Sequence, residues 1–403
     1  MKKVSLWRRL GTRVQLMIIC VLAVALAASL TAIIQHERQW RNSSGDLPFA
    51  LIPPTPTPVP EVSPPNFEEV FIEEPIDTRP LSLLTGIHVD EEDITRRPIA
   101  VVINNSVAAL PQSGVAEADI IYEVLAEGNT TRLVAIFQSS IPEKIGPVRS
   151  ARDYFVDFAF NHDAFFVHHG GSPTGYERIR RLLGVNAIDG MHFEGTVFWR
   201  DRSFAYWTGN TERRALEHSS FTGRDELLEH INSRDIRGYF NGDIHLNPSY
   251  GFSFGAAQSW QERVHSGISK VVIPFSTASN TIFEMDYYTG LFMVSHSRGP
   301  WMDESTREQV NVANILIQLT DVRVADHEGR RNVTTVGSGI GYLVRNGQVF
   351  NAIWVKNDHT SPMQWFFEDG TPLVLAPGRT WINVLQSSVE PEFHSGIGAG
   401  YGI

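Results

Sequence analysis

An α+β protein is predicted, with an N-terminal α/β domain and a mainly antiparallel β domain behind a transmembrane anchor and a proline-rich linker. Three observations predict it. Residues 16–34 are apolar and carry no charge. Strand-length and helix-length patterns alternate over 81–240, as in an α/β domain. From 248 to 388 the pattern becomes short strands joined by Asn-Gly and Asp-Gly turns, as in antiparallel sheets.

The first element is a basic segment, 1–15, with Lys2, Lys3, Arg8, Arg9 and Arg13. The run 16–34 follows, and about 20 apolar residues suffice to cross a bilayer as a helix. Positive charge stays on the cytoplasmic side, so a single pass at the cell membrane with an extracytoplasmic body is expected. Ala23-Val24-Ala25 and Ala25-Leu26-Ala27 resemble cleavage sites, but the apolar run continues to Ile34, which favours a retained signal anchor. Cys20 is the only cysteine. It excludes intrachain disulfides, and Ile19 before it is too large for a lipidation signal.

Residues 42–80 read as a Pro-rich acidic linker. Pro53–Pro65 alternates proline with small residues, a composition that adopts extended polyproline geometry and spans roughly 40 Å at about 3.1 Å per residue. The chain has 34 basic and 45 acidic residues. Seven of the basic ones and one acidic one precede residue 42, so the remainder is 27 against 44, a net −17. An acidic body argues against nucleic-acid binding. With 42% hydrophobic residues, the chain can bury substantial cores.

In the α/β domain, Ile99–Ile103 is an unbroken apolar run, predicting a strand covered on both faces. Further strands are expected at 118–125, 132–138 and 164–168. Helices are expected at Pro147–Phe160, at Pro173–Leu183, and over 222–231 with Thr222 as cap. In the β domain, strands are expected at 271–274, 281–288, 291–295 and 315–324. Gly341–Val344 and Gln348–Lys356 should form a hairpin across Asn346-Gly347. Trp354, Lys356, Trp365 and Trp381 belong to the core or rim of that domain. Residues 389–403 form a Gly-rich tail.

The candidate site lies in Gly146–Tyr176. With Pro147 opening the first helix, Arg149 and Arg152 fall in its first turns, where the helix dipole disfavours cations by roughly 0.3–1 kcal/mol. Arg152 also falls four residues after Val148, on the apolar side. A buried guanidinium requires a partner, and either Glu123, Glu127 or an anionic ligand could supply it. Arg149 could pair with Asp153 at i, i+4. His168-His169-Gly170-Gly171-Ser172 then leads from a strand into a helix capped by Ser172. Such a turn exposes backbone N–H groups at a positive helix end. Arg149, Arg152, His168, His169, Gly170, Gly171, Ser172 and Glu123 are therefore the candidate ligand-binding residues, for an anionic small molecule or cell-wall fragment. No Walker A loop, nucleophile elbow or metal-ligand spacing is present, and neither cofactor nor metal is expected. Gly337–Gly341 lies between strands and makes a poor nucleotide loop.

Six segments together resemble the YerB-like family of bacterial proteins of lipoprotein type. They are Pro147–Arg152, His168–Ser172, Pro111–Gly114, Ala118–Glu123, Gly341–Gly347 and Trp354–Lys356. The resemblance spans nearly all of 84–385. It implies a bacterial envelope protein built from a two-part domain of unknown function, and it supplies no catalytic residues. The sequence departs from the family at Cys20, where a transmembrane anchor replaces the lipid. Three functions remain in view. One is an envelope protein binding an anionic ligand. Another is a hydrolase or transferase acting on cell-envelope glycans, with Glu123 or His169 as acid or base. The third is a protein-interaction module using the β domain.

Overall fold

Strand β1, Ile99–Asn104, is buried at all six positions. Ile99, Val101 and Ile103 enter one core, and Ala100 and Val102 enter the other. Successive strand side chains point to opposite faces, so a strand without a polar face must be covered twice. That requirement sets a three-layer architecture.

The computed structural model describes residues 77–234, 252–255, 267–277 and 279–396. The basic segment, the anchor at 16–34 and nearly all of the 42–80 linker lie outside them, as does the whole of the expected 240–248 boundary. Among the described residues, no helix is long and apolar enough to cross a membrane. Met1–Glu74 and Pro75–Ile403 are separate units, and the second holds the described elements.

Its elements continue as β2 (Ile120–Glu127), β3 (Thr130–Phe137), α1 (Asp153–Phe160), β4 (Phe165–His168), α2 (Pro173–Leu182), β5 (Ala187–Asp189) and α3 (Arg224–Asn232). Then come β6 (Gly267–Ser276), β7 (Ser279–Asp286), β8 (Leu291–His296), β9 (Asn314–Thr320), β10 (Gly337–Arg345), β11 (Gln348–Lys356), β12 (Gln364–Phe367), β13 (Thr380–Gln386) and β14 (Glu392–Gly396). The unit is mostly β, with few helices and an α/β-like N-terminal region.

A ten-stranded sheet runs β12-β11-β10-β9-β13-β2-β3-β1-β4-β5. A second sheet, built on β8-β7-β6-β14, packs Val271, Ile273, Phe283 and Phe292 into the first core, with Leu227 and Ile231 of α3. Helices α1 and α2 cover the opposite face through Tyr154, Phe155, Phe158 and Ile179. Trp354 and Trp365 join that second core, and Trp381 joins the first.

The structure adds detail to these expectations and corrects one helix cap. The mainly antiparallel C-terminal half also holds one strand with parallel neighbours: β13 pairs with β9 on one side and with β2 on the other. Both halves of the chain therefore contribute to one sheet. The tail is partly a strand, because β14 pairs with β6. Helix α3 is capped at Gly223. Thr222 instead bridges Ile145 and donates its hydroxyl to the Val197 carbonyl at 2.9 Å. The expected hairpin is present, with Asn346 at φ 48° and Gly347 at φ 71°, both left-handed as a tight turn between twisted strands requires.

Candidate functional site

Arg149 and Arg152 do not lie in a helix. Helix α1 begins at Asp153, with Arg152 extended at the N-cap (φ −125°, ψ 157°). The preceding residues pair on both sides. Arg149 donates its backbone N–H to Val102 at 2.8 Å, Val148 to Ser220 at 2.6 Å and Ala151 to Gly170 at 2.9 Å. These tertiary partners take the groups that helical bonds would have used, which is why the apolar helical stripe misleads. The Arg149–Asp153 pair therefore does not form; Asp153 faces Arg178 at 3.6 Å.

The extended segment brings Arg149 and Arg152 beside Arg132 of β3. Arg132 and Arg149 each feel Arg152 and the opposite charge of Glu127. Glu127 gives one carboxylate oxygen to a terminal nitrogen of Arg132 and the other to a terminal nitrogen of Arg152. Of the two carboxylates considered for Arg152, the partner is thus Glu127. Arg132 is only 3% exposed and Arg152 6%, while Arg149 is half-buried. Burial pushes the Arg132 guanidinium down to about 10, against the pull of Glu127 and with Arg152 and Arg149 adding to the push. Burial likewise lowers Arg149. Burial raises the Glu127 carboxyl, but Arg132 and Arg152 outweigh it and hold it below its ordinary value.

The inventory of donors is lopsided. Arg132 Nε and Nη1, Arg149 Nε and Arg152 Nε are buried without a hydrogen-bond partner. Buried polar atoms in native proteins are mostly satisfied, so four on three neighbouring cations mark a place where an acceptor belongs. Glu217, exposed, adds a further pull on Arg149. His218 borders the cluster. The Asn104 amide lies 2.7 Å from its Nδ1, and burial followed by Arg149 lowers its pKa.

The Gly170–Ser172 turn adjoins the arginine segment, because Ala151 bridges Gly171 and His169 donates its N–H to the Arg149 carbonyl at 3.0 Å. Its positive end is already answered from within. Gly170 and Met191 donate to Asp189 Oδ1 at 2.9 and 3.0 Å, and the Tyr176 hydroxyl donates to Oδ2 at 2.8 Å. Ser172 N–H goes to the Ala151 carbonyl at 3.1 Å, and its hydroxyl caps Gly175 at 3.1 Å. His168, 1% exposed, holds the Gly170 carbonyl at 2.8 Å. His169 bonds Ser220 Oγ at 2.7 Å through Nδ1 and Arg200 at 3.0 Å through Nε2, and burial plus Arg200 keeps it neutral-leaning. A guanidinium only donates, so Nε2 accepts and Nδ1 carries the proton.

Glu123 is held apart from these residues. It is fully buried, and its two oxygens accept from Asn105 (3.2 Å), Thr131 (2.8 Å), Thr281 (2.8 Å) and Trp381 (3.2 Å). Burial pushes its carboxyl up to about 7, against the bonds from Thr281, Thr131 and Trp381. It joins β2 and β3 to β7 and β13. A recess of about 40 Å³ lies beside it. That recess shares Val107, Leu110, His296, Arg298 and Trp301 with an open cleft of about 350 Å³ that also takes in Trp207. Lys356, also buried, donates to Asn161 Oδ1 at 2.8 Å and is pushed down to about 8 by burial, against Asp157 and Asp358.

Sequence reasoning finds Arg149, Arg152 and Glu127, but gives Arg132 no role. The one signal for it is a lone arginine inside Thr130–Phe137, a strand otherwise without charge. Arg200, Asn104 and His218 approach through folding alone and carry no local signal.

The fold and cluster define a mostly β, two-part protein with a buried excess of positive charge. Residues 84–237 match the family described as "Protein of unknown function (DUF3048) N-terminal domain", and residues 271–382 match its C-terminal domain. The chain belongs to this family. It is 33% identical over 307 residues to "Putative lipoprotein YerB" of Bacillus subtilis (strain 168), covering 75% of this chain and 85% of that one. The crystal structure of YerB from Bacillus subtilis superposes with a TM-score of 0.66 at 29% identity, covering 78% of this chain and all of that one.

Proposed function

We propose that the protein is held at the cell membrane by residues 16–34 and binds an anionic envelope ligand outside it, through Arg132, Arg149 and Arg152. One observation carries this reading: two nearly fully buried guanidinium groups share a single carboxylate, the half-buried Arg149 lies beside them, and the three leave four buried nitrogens unpartnered. Burying a cation without a partner is expensive, and an anion offsets it. Because the free nitrogens lie beneath the surface, the half-buried Arg149 side chain must swing aside to admit the ligand. His169, Gly170, Gly171 and Ser172 act by fixing the 149–151 segment, and Asp189 with His168 fixes the turn in its place.

Catalysis by Glu123 is less well supported, since all four of its acceptor positions are taken and none is open to a substrate. The test is calorimetric titration of the full chain in lipid nanodiscs with phosphate and with citrate. Binding of at least one anion is expected, weakened tenfold or more in Arg149→Ala with an unchanged circular dichroism spectrum. Absence of binding, or full affinity in Arg149→Ala, overturns the reading.

A further inference from the structure

Resting on that anion-binding reading, we infer that the group bound at Arg132, Arg149 and Arg152 is a phosphate monoester dianion. Charge comes first. Three guanidinium groups against Glu127 leave two positive charges, and the further carboxylate near Arg149, Glu217, is exposed to solvent. A monocarboxylate or phosphodiester would leave one of them unanswered. A phosphate monoester carries about −1.5 to −2 at neutral pH.

Geometry agrees. Glu127 meets each of Arg132 and Arg152 through one terminal nitrogen. Arg132 keeps Nε and Nη1 for a second acceptor, and Arg152, whose Nη1 donates to the Ala151 carbonyl at 2.8 Å, keeps Nε. The free donors come from three side chains on two pieces of backbone: β3, and the extended segment that runs from Arg149 into the α1 N-cap at Arg152. Four donors on three side chains suit a group with three terminal oxygens better than the two coplanar oxygens of a carboxylate. The nearby polar groups are already committed. Asn104 accepts from the Ser106 N–H at 3.0 Å and contacts His218 with its amide. The lining thus offers donors, as a fully ionised oxyanion requires. With Arg149 at the mouth, the organic part of the ester stays outside. Both a soluble phosphate ester and a phospholipid headgroup present this chemistry.

The experiment is calorimetry on the full chain in phosphatidylcholine nanodiscs, titrated with glycerol 1-phosphate and with glycerate, a carboxylate of similar size. Glycerol 1-phosphate is expected to bind at least tenfold more tightly. Arg132→Gln should lose that binding. Should Arg132→Gln fail to fold, Arg149→Lys, which keeps the charge and loses the fork, should weaken the phosphate tenfold and leave glycerate nearly unchanged. Equal affinity for glycerate overturns the phosphate assignment and leaves anion binding standing, whereas no binding of either overturns both. Discs containing phosphatidate separate the two sources. Blocked glycerol phosphate binding assigns a membrane headgroup, unaffected binding assigns a soluble ester, and either result supports a phosphate monoester.

Discussion

At the scale of single residues, Glu127 is the carboxylate on which the arginine cluster depends. Among the described residues Glu127 is the carboxylate paired with Arg132 and Arg152, and because it is partly exposed Glu127→Gln should lose less than the about 3–5 kcal/mol typical of breaking a fully buried pair. A fall in melting temperature is expected, with part of the loss restored by added phosphate, because a ligand that binds only the folded state stabilises it. Calorimetric scans with and without phosphate read both effects, and a mutant as stable as the parent would refute the role assigned to Glu127. Glu123 predicts a pH dependence. Its folded carboxyl sits near 7, above its ordinary 4.5. The folded state therefore holds the proton more firmly than the unfolded one. This contribution is fully present below about 4.5 and is lost as pH rises through 7. Denaturant midpoints measured between pH 5 and 8 should decline with pH, and less steeply in Glu123→Gln. Arg149 and Arg152 stand out in the sequence because a helical reading puts charge where it does not belong. The anomaly is real, but a misplaced helical charge is not its cause. The residues are extended, and they are unusual because they converge on Arg132, 17 positions earlier than Arg149.

At the scale of elements, strands are legible where both faces are buried or a turn is specific. β1 and the β10–β11 hairpin carry such signals in Ile99–Ile103 and Asn346-Gly347. The segment 147–152 does not. Its helical periodicity is shared by α1, which it precedes, and only its pairing with Val102, Ser220 and Gly170 pulls it out straight. Local pattern cannot report partners that arrive from elsewhere in the chain. The close approach of β9 and β10 yields a test. A Cβ on Gly341 would lie 2.2 Å from the Ile317 carbonyl oxygen, a backbone atom that cannot rotate away. Gly341→Ala should lose about 1–3 kcal/mol, the usual range for overpacking. Urea unfolding with an undiminished midpoint would show that the two strands separate more freely than their packing implies.

At the scale of the whole molecule, β13 decides how the parts cohere. The sequence shows two compositions and invites two bodies. Yet β13 lies between β2 and β9, parallel to both, and Glu123 and Trp381 tie the same strands in the core. A parallel neighbour leaves no mark in a strand's own residues beyond its even burial, so this join is not legible in the sequence. The unit Pro75–Ile403 should unfold in one calorimetric transition. Residues 77–234 made alone should show no sharp transition, because β2, mostly buried in the whole unit, would keep an unpaired edge. A cooperative transition in that piece would show that the N-terminal half is self-sufficient.

The position of β13 also fixes a timetable. Ribosomes make roughly 5–20 residues per second, and about 250 residues separate the end of β2 from the start of β13. For roughly 13–50 seconds on every new chain, β2 waits with one side open while the strand that will close it has not yet been made. The newborn protein therefore passes through an obligatory period of stickiness, and whatever shields β2 during that interval matters to its yield as much as any contact in the finished fold.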